Sequence, residues 1–129
     1  MNLTSFLLPI LLLSASLPSA AAESKNGVEL LKKCASVLRH IDREEKLSPL
    51  SMMDSAFCVG LIQGVSNTNA FYAADPKFKP YMCMPEKGVN NEQGARIVVK
   101  FLTERPEKLH MNDTLLVIVA LRDAFPCEQ

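Results

Sequence analysis

The sequence has no net charge: 14 basic residues balance 14 acidic ones. A nucleic-acid partner wants a basic surface, and a polybasic membrane anchor wants a run of like charge, so neither reading has support. A Cys-x-x-Cys pair is also missing, and only two histidines, His40 and His110, occur. That leaves no ligand set for a metal and no dithiol motif for redox work. No serine sits in a Gly-x-Ser-x-Gly setting, and neither a P-loop nor a dinucleotide fingerprint is found. His110, with Glu107 and Asp113 nearby, is the better candidate base, yet it lacks a nucleophile. The grouped Asp42, Glu44 and Glu45 read as a solvated turn. Asn112-Asp-Thr114 fits a glycosylation sequon, which matters only in a eukaryotic secretory pathway. The expectation is a binding protein, with no catalytic residues, no metal and no cofactor.

Long apolar runs are scarce as well. One lies near the N-terminus, Phe6-Leu-Leu-Pro-Ile-Leu-Leu-Leu13, and it is too short for a bilayer, which needs ~20 apolar residues. Small residues follow, ending in Ala20-Ala-Ala22, and the chain then turns polar at Glu23-Ser-Lys-Asn26. This is the pattern of a secretory signal peptide over residues 1–22, although Met1 to Ser5 contains no Lys or Arg. Cleavage is expected before Glu23, with residues 23–129 forming one small helical domain. No cysteine sits at the cleavage point to carry a lipid.

What is present is helical periodicity. Val28, Leu31, Cys34, Ala35, Leu38 and Ile41 recur every three or four positions, which predicts a helix over about 28–41 capped by Asn26. A second helix is predicted from near Ser51 to Ala73, with Ser48 before Pro49 as an alternative start. Phe57, Cys58, Leu61, Ile62, Val65 and Tyr72 mark its expected buried side. On the same helix Ala56, Gly60, Gly64 and Thr68 form a smooth strip spaced by four. Each interior glycine costs ~1 kcal/mol, so a close backbone neighbour is expected there. That neighbour is either another helix of the chain or a second copy across a dimer seam. Asp75 to Val89 holds Pro76, Pro80, Pro85 and Gly88 and reads as an ordered loop pinned by Cys83.

Asn90, with Gln93 three residues on, opens a third helix whose face is Ile97, Val98, Phe101 and Leu102, and Arg105-Pro106 ends it. The last segment, about Asn112 to Ala124, is apolar throughout and rich in β-branched residues. Propensity alone permits a buried strand, but no other segment offers it a partner, so it reads as a buried central helix. The fold class is therefore all-α, a small bundle of four helices in two hairpins.

Four cysteines in a small exported chain read as two disulfides, and three pairings are open. Cys34 lies about two turns before the end of the first helix and Cys58 about two turns after the start of the second, at equal height in an antiparallel hairpin. Cys83 precedes the third helix and Cys127 follows the fourth, where the ends of a second hairpin meet. The expected pairs are Cys34–Cys58 and Cys83–Cys127, each able to stabilise by ~3–4 kcal/mol.

A set of blocks occurs in fixed order: Cys58-Val-Gly-Leu-Ile-Gln-Gly-Val65, Cys83-Met-Pro85, Arg105-Pro-Glu-Lys-Leu-His110 and Ala124-Phe-Pro-Cys127. Together they resemble the Rap/Tai family of immunity proteins, over almost all of the chain after the signal peptide. The family often has an aromatic where Leu61 stands and an Asp where the chain reads Ser66-Asn-Thr-Asn69. The resemblance implies a periplasmic helical protein, often a homodimer. It further implies an antidote that binds a peptidoglycan amidase effector of a type VI secretion system and plugs its active-site groove. The loop Arg105, Pro106, Glu107, Lys108, Leu109 and His110 is the candidate plug, or else only a tight connection with Leu109 packed as a staple. A periplasmic acid or stress chaperone is the alternative function.

Overall fold

The computed structural model describes residues 25–128, so the expected signal peptide lies outside the described residues. Four α-helices follow one another: α1 (Gly27–Arg43), α2 (Pro49–Ala74), α3 (Asn91–Glu104) and α4 (Asp113–Ala124), with a 3₁₀ turn over Pro106–Lys108. Each opens on a side chain that accepts from amides the first turn leaves orphaned. Asn26 accepts from Val28 and Glu29, Ser48 from Ser51, Asn90 from Gln93 and Asn112 from Leu115. Ser48, not Ser51, caps α2, because Pro49 at the first helical position has no amide to leave unsatisfied. At the far end of α1, Glu44 takes a left-handed conformation (φ 52°) that stops the helix.

The chain is all-α, with both expected bridges. Cys34–Cys58 joins α1 to α2 with Cα atoms 5.1 Å apart, and Cys83–Cys127 joins the 75–89 loop to the segment after α4 at 4.9 Å. Between them lies the core: Leu30 and Val37 of α1, Ile62 of α2, Val98 and Leu102 of α3, Leu116 and Leu121 of α4. The β-branched run of α4 is helical, as expected from its lack of a strand partner, and it buries Leu116, Val117, Ala120 and Leu121. It is not buried all round, for Leu115 is exposed.

Two buried faces differ from the periodicity reading. On α1 the inward stripe is Gly27, Leu30, Cys34 and Val37, while Val28 and Ile41 are exposed. The whole face is turned because α1 packs against both α2 and α3, which widens its buried arc beyond the most apolar positions. Lys33 falls within that arc, its ammonium 4.1 Å from the centroid of the Phe57 ring. On α2 only Cys58, Ile62 and Asn69 are buried; Leu61 and Val65 are half-buried, and Phe57 and Tyr72 are exposed.

Close backbone approach is required at two glycines. A Cβ on Gly27 would lie 2.9 Å from the Cα of Leu109 and 2.7 Å from Leu116 Cδ1, so the start of α1 can meet the 105–112 segment only without a side chain. A Cβ on Gly94 would lie 2.9 Å from Ile62 Cγ2, where α3 crosses α2.

The 75–89 loop is tied to α2 by one buried amide. Asn69 Nδ2 donates to the Met82 carbonyl (2.8 Å), and Asn69 Oδ1 accepts from the amides of Tyr81 (2.8 Å) and Met82 (3.1 Å). Met82 fills the core beside it. At the other end of the molecule Arg96 of α3 bridges Asp42 of α1 and Glu92 of its own helix. The hydrogen bonds from Arg96 hold the Asp42 carboxyl below the usual carboxylate range.

Two outcomes follow from these ties. Asn69→Ala strands the amides of Tyr81 and Met82 and should cost about 1–3 kcal/mol in denaturant unfolding, while Asn67→Ala, at an exposed site on the same helix, should be near neutral. A depressed carboxylate contributes stability above its unfolded pKa, and that contribution is lost as pH falls through the folded value. Arg96→Met should therefore lower the unfolding temperature at pH 7, with the difference from wild type shrinking below roughly pH 4.

Candidate functional site

The six residues of the Arg105–His110 loop are brought to the start of α1 and held there by backbone hydrogen bonds. The Gly27 amide donates to the carbonyls of Leu109 (2.9 Å) and Met111 (3.2 Å), and the Asp113 amide donates to Lys25 (3.3 Å). Within the loop Lys108 donates to Arg105 (3.0 Å) and Met111 to Lys108 (2.9 Å), closing one 3₁₀ turn behind Pro106. The side chains divide. Leu109 is half-buried and packs on the core. Arg105 is turned back into the chain, its guanidinium 5.2 Å from the Phe101 ring and 3.6 Å from an Asp123 carboxylate oxygen. Pro106, Glu107 and His110 are exposed, and Lys108 is half-buried. The loop is thus a connection with Leu109 as its staple, and it also presents a short polar edge whose backbone is fixed in advance.

A second surface is larger and apolar. Ala56, Gly60, Gly64 and Thr68 are all exposed, and nothing lies within 4 Å of a Cβ built on Gly60 or Gly64. Packing against another helix of the same chain, one of the two roles expected for this strip, therefore does not occur: α1, α3 and α4 occupy the other sides of α2. Instead Gly60, Gly64 and Thr68 floor an open groove of about 680 Å³. Leu61 and Val65 line it from α2, Leu115 and Ile118 from α4, and Phe78, Tyr81 and Met82 from the loop. Tyr72 and Phe78 meet edge to face across one end, with ring centroids 5.3 Å apart.

The groove belongs to a longer face. Met53 (70% exposed) and Phe57 lie before the glycines, and Phe71 (75%) and Tyr72 lie after them. Spaced at helical intervals, these residues run some 27 Å along α2 at 1.5 Å per residue. Asp54 is the only charged residue in the 26 residues of α2. Around the groove the cations are Lys79, which lines it, and Arg122, whose guanidinium stands 5.5 Å from the Tyr81 ring. An exposed apolar face of this length is unusual on a monomer.

Sequence reasoning placed the small-residue strip and the loop but not Phe71, Phe78, Tyr81 and Leu115, whose exposure makes the strip a groove. One signal was available: a 26-residue helix with a single charge has too few polar residues to cover a solvated side. Among the described residues no three of His, Cys, Asp and Glu gather to hold a metal ion, and no helix is long and apolar enough to cross a membrane.

The family model of the Rap1a immunity proteins matches residues 26–127, from the cap of α1 to the last cysteine. Neither the curated proteins nor the solved structures give a match. The matched span takes in all four helices and both disulfides, and the chain belongs to the Rap1a immunity protein family.

Proposed function

We propose that the protein is exported to the periplasm, with cleavage before Glu23, and there binds and sterically blocks a peptidoglycan amidase effector of a type VI secretion system. The observation that carries this reading, beside the family, is the pre-set loop at Arg105–His110. A plug must enter a groove without a large ordering cost, and a backbone already fixed by Gly27, Asp113 and Pro106 incurs little. Glu107 and His110 offer polar contacts suited to a Cys–His catalytic site, with Pro106 between helix and turn to keep the edge stiff. Leu109 holds the loop to the core and supports the edge rather than forming it.

A homodimer along Ala56, Gly60, Gly64 and Thr68 belongs to the same proposal. The open strip, the flanking aromatics and the near absence of charge suit an isologous pairing of α2 with α2, in which small residues let two backbones approach. The exposed apolar face also favours a second reading, a periplasmic acid or stress chaperone that offers this face to unfolded clients. The two differ in stoichiometry and selectivity: an antidote binds one folded amidase, and a chaperone binds many denatured chains.

Glu107→Ala combined with His110→Ala should weaken binding to the amidase by at least ~1–2 kcal/mol in calorimetry with the unfolding temperature unchanged. Unaltered affinity removes the loop from the interface. Gly64→Glu places a charge on the centre of the strip and should shift the protein to monomer in sedimentation velocity while its circular dichroism stays helical. A wild-type protein that is already monomeric at high concentration removes the seam.

A further inference from the structure

We infer that the Cys83–Cys127 bridge is a reductant-accessible latch, which a dithiol opens while Cys34–Cys58 stays closed, and that its opening loosens the 75–89 loop from α2 and α4. The two bridges stand in different surroundings. Cys34 and Cys58 are both fully buried in the core between α1 and α2. Cys83 is exposed and Cys127 half-buried. Thiol–disulfide exchange needs a thiolate to reach a sulfur in line with the bond, so access separates two otherwise similar bridges.

The step balances with a dithiol reductant as co-reactant. Its thiolate attacks Cys83 Sγ, on the more exposed of the two residues; the Cys83–Cys127 bond breaks, and a mixed disulfide forms on Cys83. The electron pair leaves on Cys127 Sγ, which takes a proton. The second thiolate of the reductant then attacks its own sulfur in the mixed disulfide, closing the reductant's ring and releasing Cys83, which is protonated. The protein gains two electrons and two protons, and the reductant is oxidised to a disulfide.

The consequence follows from what the bridge holds. The loop contains Pro76, Pro80 and Pro85 and no regular element, so its placement depends on a few ties. Once the covalent tie is gone, those left are the Asn69 hydrogen bonds, one from the Cys83 amide to the Phe125 carbonyl (2.9 Å), the buried Met82 side chain, and the ring contacts of Arg122 with Tyr81 and of Tyr72 with Phe78. All of them lie between Phe78 and Cys83, and none is covalent. Phe78, Lys79, Tyr81 and Met82 of this loop form one wall of the apolar groove. Reduction therefore loosens that wall while the helices, stapled by Cys34–Cys58, persist. The face on α2 is complete only while the exposed bridge is oxidised, whatever partner covers it.

The test uses the exported protein with both bridges formed. It is treated with limiting dithiothreitol at neutral pH, quenched with iodoacetamide and mapped by mass spectrometry, with parallel digestion by trypsin. Cys83 and Cys127 should label about ten-fold or more faster than Cys34 and Cys58. New cuts after Lys77 and Lys87 should accompany that labelling while far-ultraviolet circular dichroism stays helical. The double variant Cys83→Ser with Cys127→Ser should be cut at the same two lysines without reductant. Equal labelling of both pairs overturns the inference, as does loss of helix with the first label. So does a loop that resists trypsin in the selectively labelled wild type, a result that does not depend on the variant folding.

Discussion

The buried Cys34–Cys58 bridge is the constraint on which the rest of the architecture depends. It fixes α1 against the first half of α2 at a Cα separation of 5.1 Å, with both cysteines excluded from solvent. Once α1 is placed there, α3 packs on its other flank and α4 closes the core through Leu116, Val117 and Leu121. A domain of this size buries too little apolar surface to be secure by packing alone, and cross-links that close loops of tens of residues make up part of the difference. The same placement decides which side of α2 faces inward. Cys58 and Ile62 are drawn into the core, and the glycine strip is left on the opposite side.

The second bridge has a different task. It adds nothing to helix packing directly; it secures a proline-rich loop to the end of α4. Asn69 shares that task from the other side, since one side chain satisfies three backbone groups of the loop, two of which, on Met82, would otherwise be buried without partners. Loop, α2 and α4 then form a single surface. A chain with only its four helices would have an apolar strip on α2 but no walls to shape it.

Much of the scaffold was legible in the sequence because it rests on local chemistry. The cap asparagines at 26 and 90 and the proline punctuation of the 75–89 loop act over a few residues and leave their mark there, as does Ser48–Pro49, one of the two starts expected for α2. The disulfide pairing was legible because helical rise sets the height of Cys34 and Cys58 in a hairpin. What was not legible depends on which helix packs where. Val28 and Ile41 are as apolar as Leu30 and Val37, and the positions of α2 and α3 decide which pair is buried. Lys33 reads as solvated until Phe57 is seen beneath it. Asn69 was noticed only as a departure from the expected family pattern, because an asparagine in a polar run carries no sign that a loop will return to it from 12 residues away. For the candidate surfaces spacing grouped the residues into a strip and a loop, but whether the glycine strip would be covered within the chain is a tertiary question that spacing cannot answer.

The two surfaces meet at the first turn of α4. Thr114 and Leu115 line the groove, while the residues just before them, from Arg105 to Asn112, form the loop and the cap. This turn is held on every side: Asp113 is buried, its amide bound to Lys25, and its carboxylate accepts from the Thr114 amide at 2.6 Å. Gly27 meets both Leu109 and Leu116 across it, so the start of α1 is wedged between loop and helix. A binder that used a soft connection here would have to order one surface each time the other was occupied. With the junction fixed by backbone bonds and a glycine contact, a partner on the α2 face leaves the 105–110 edge as it was. Covering the apolar face and presenting the polar edge are thereby compatible within one small chain.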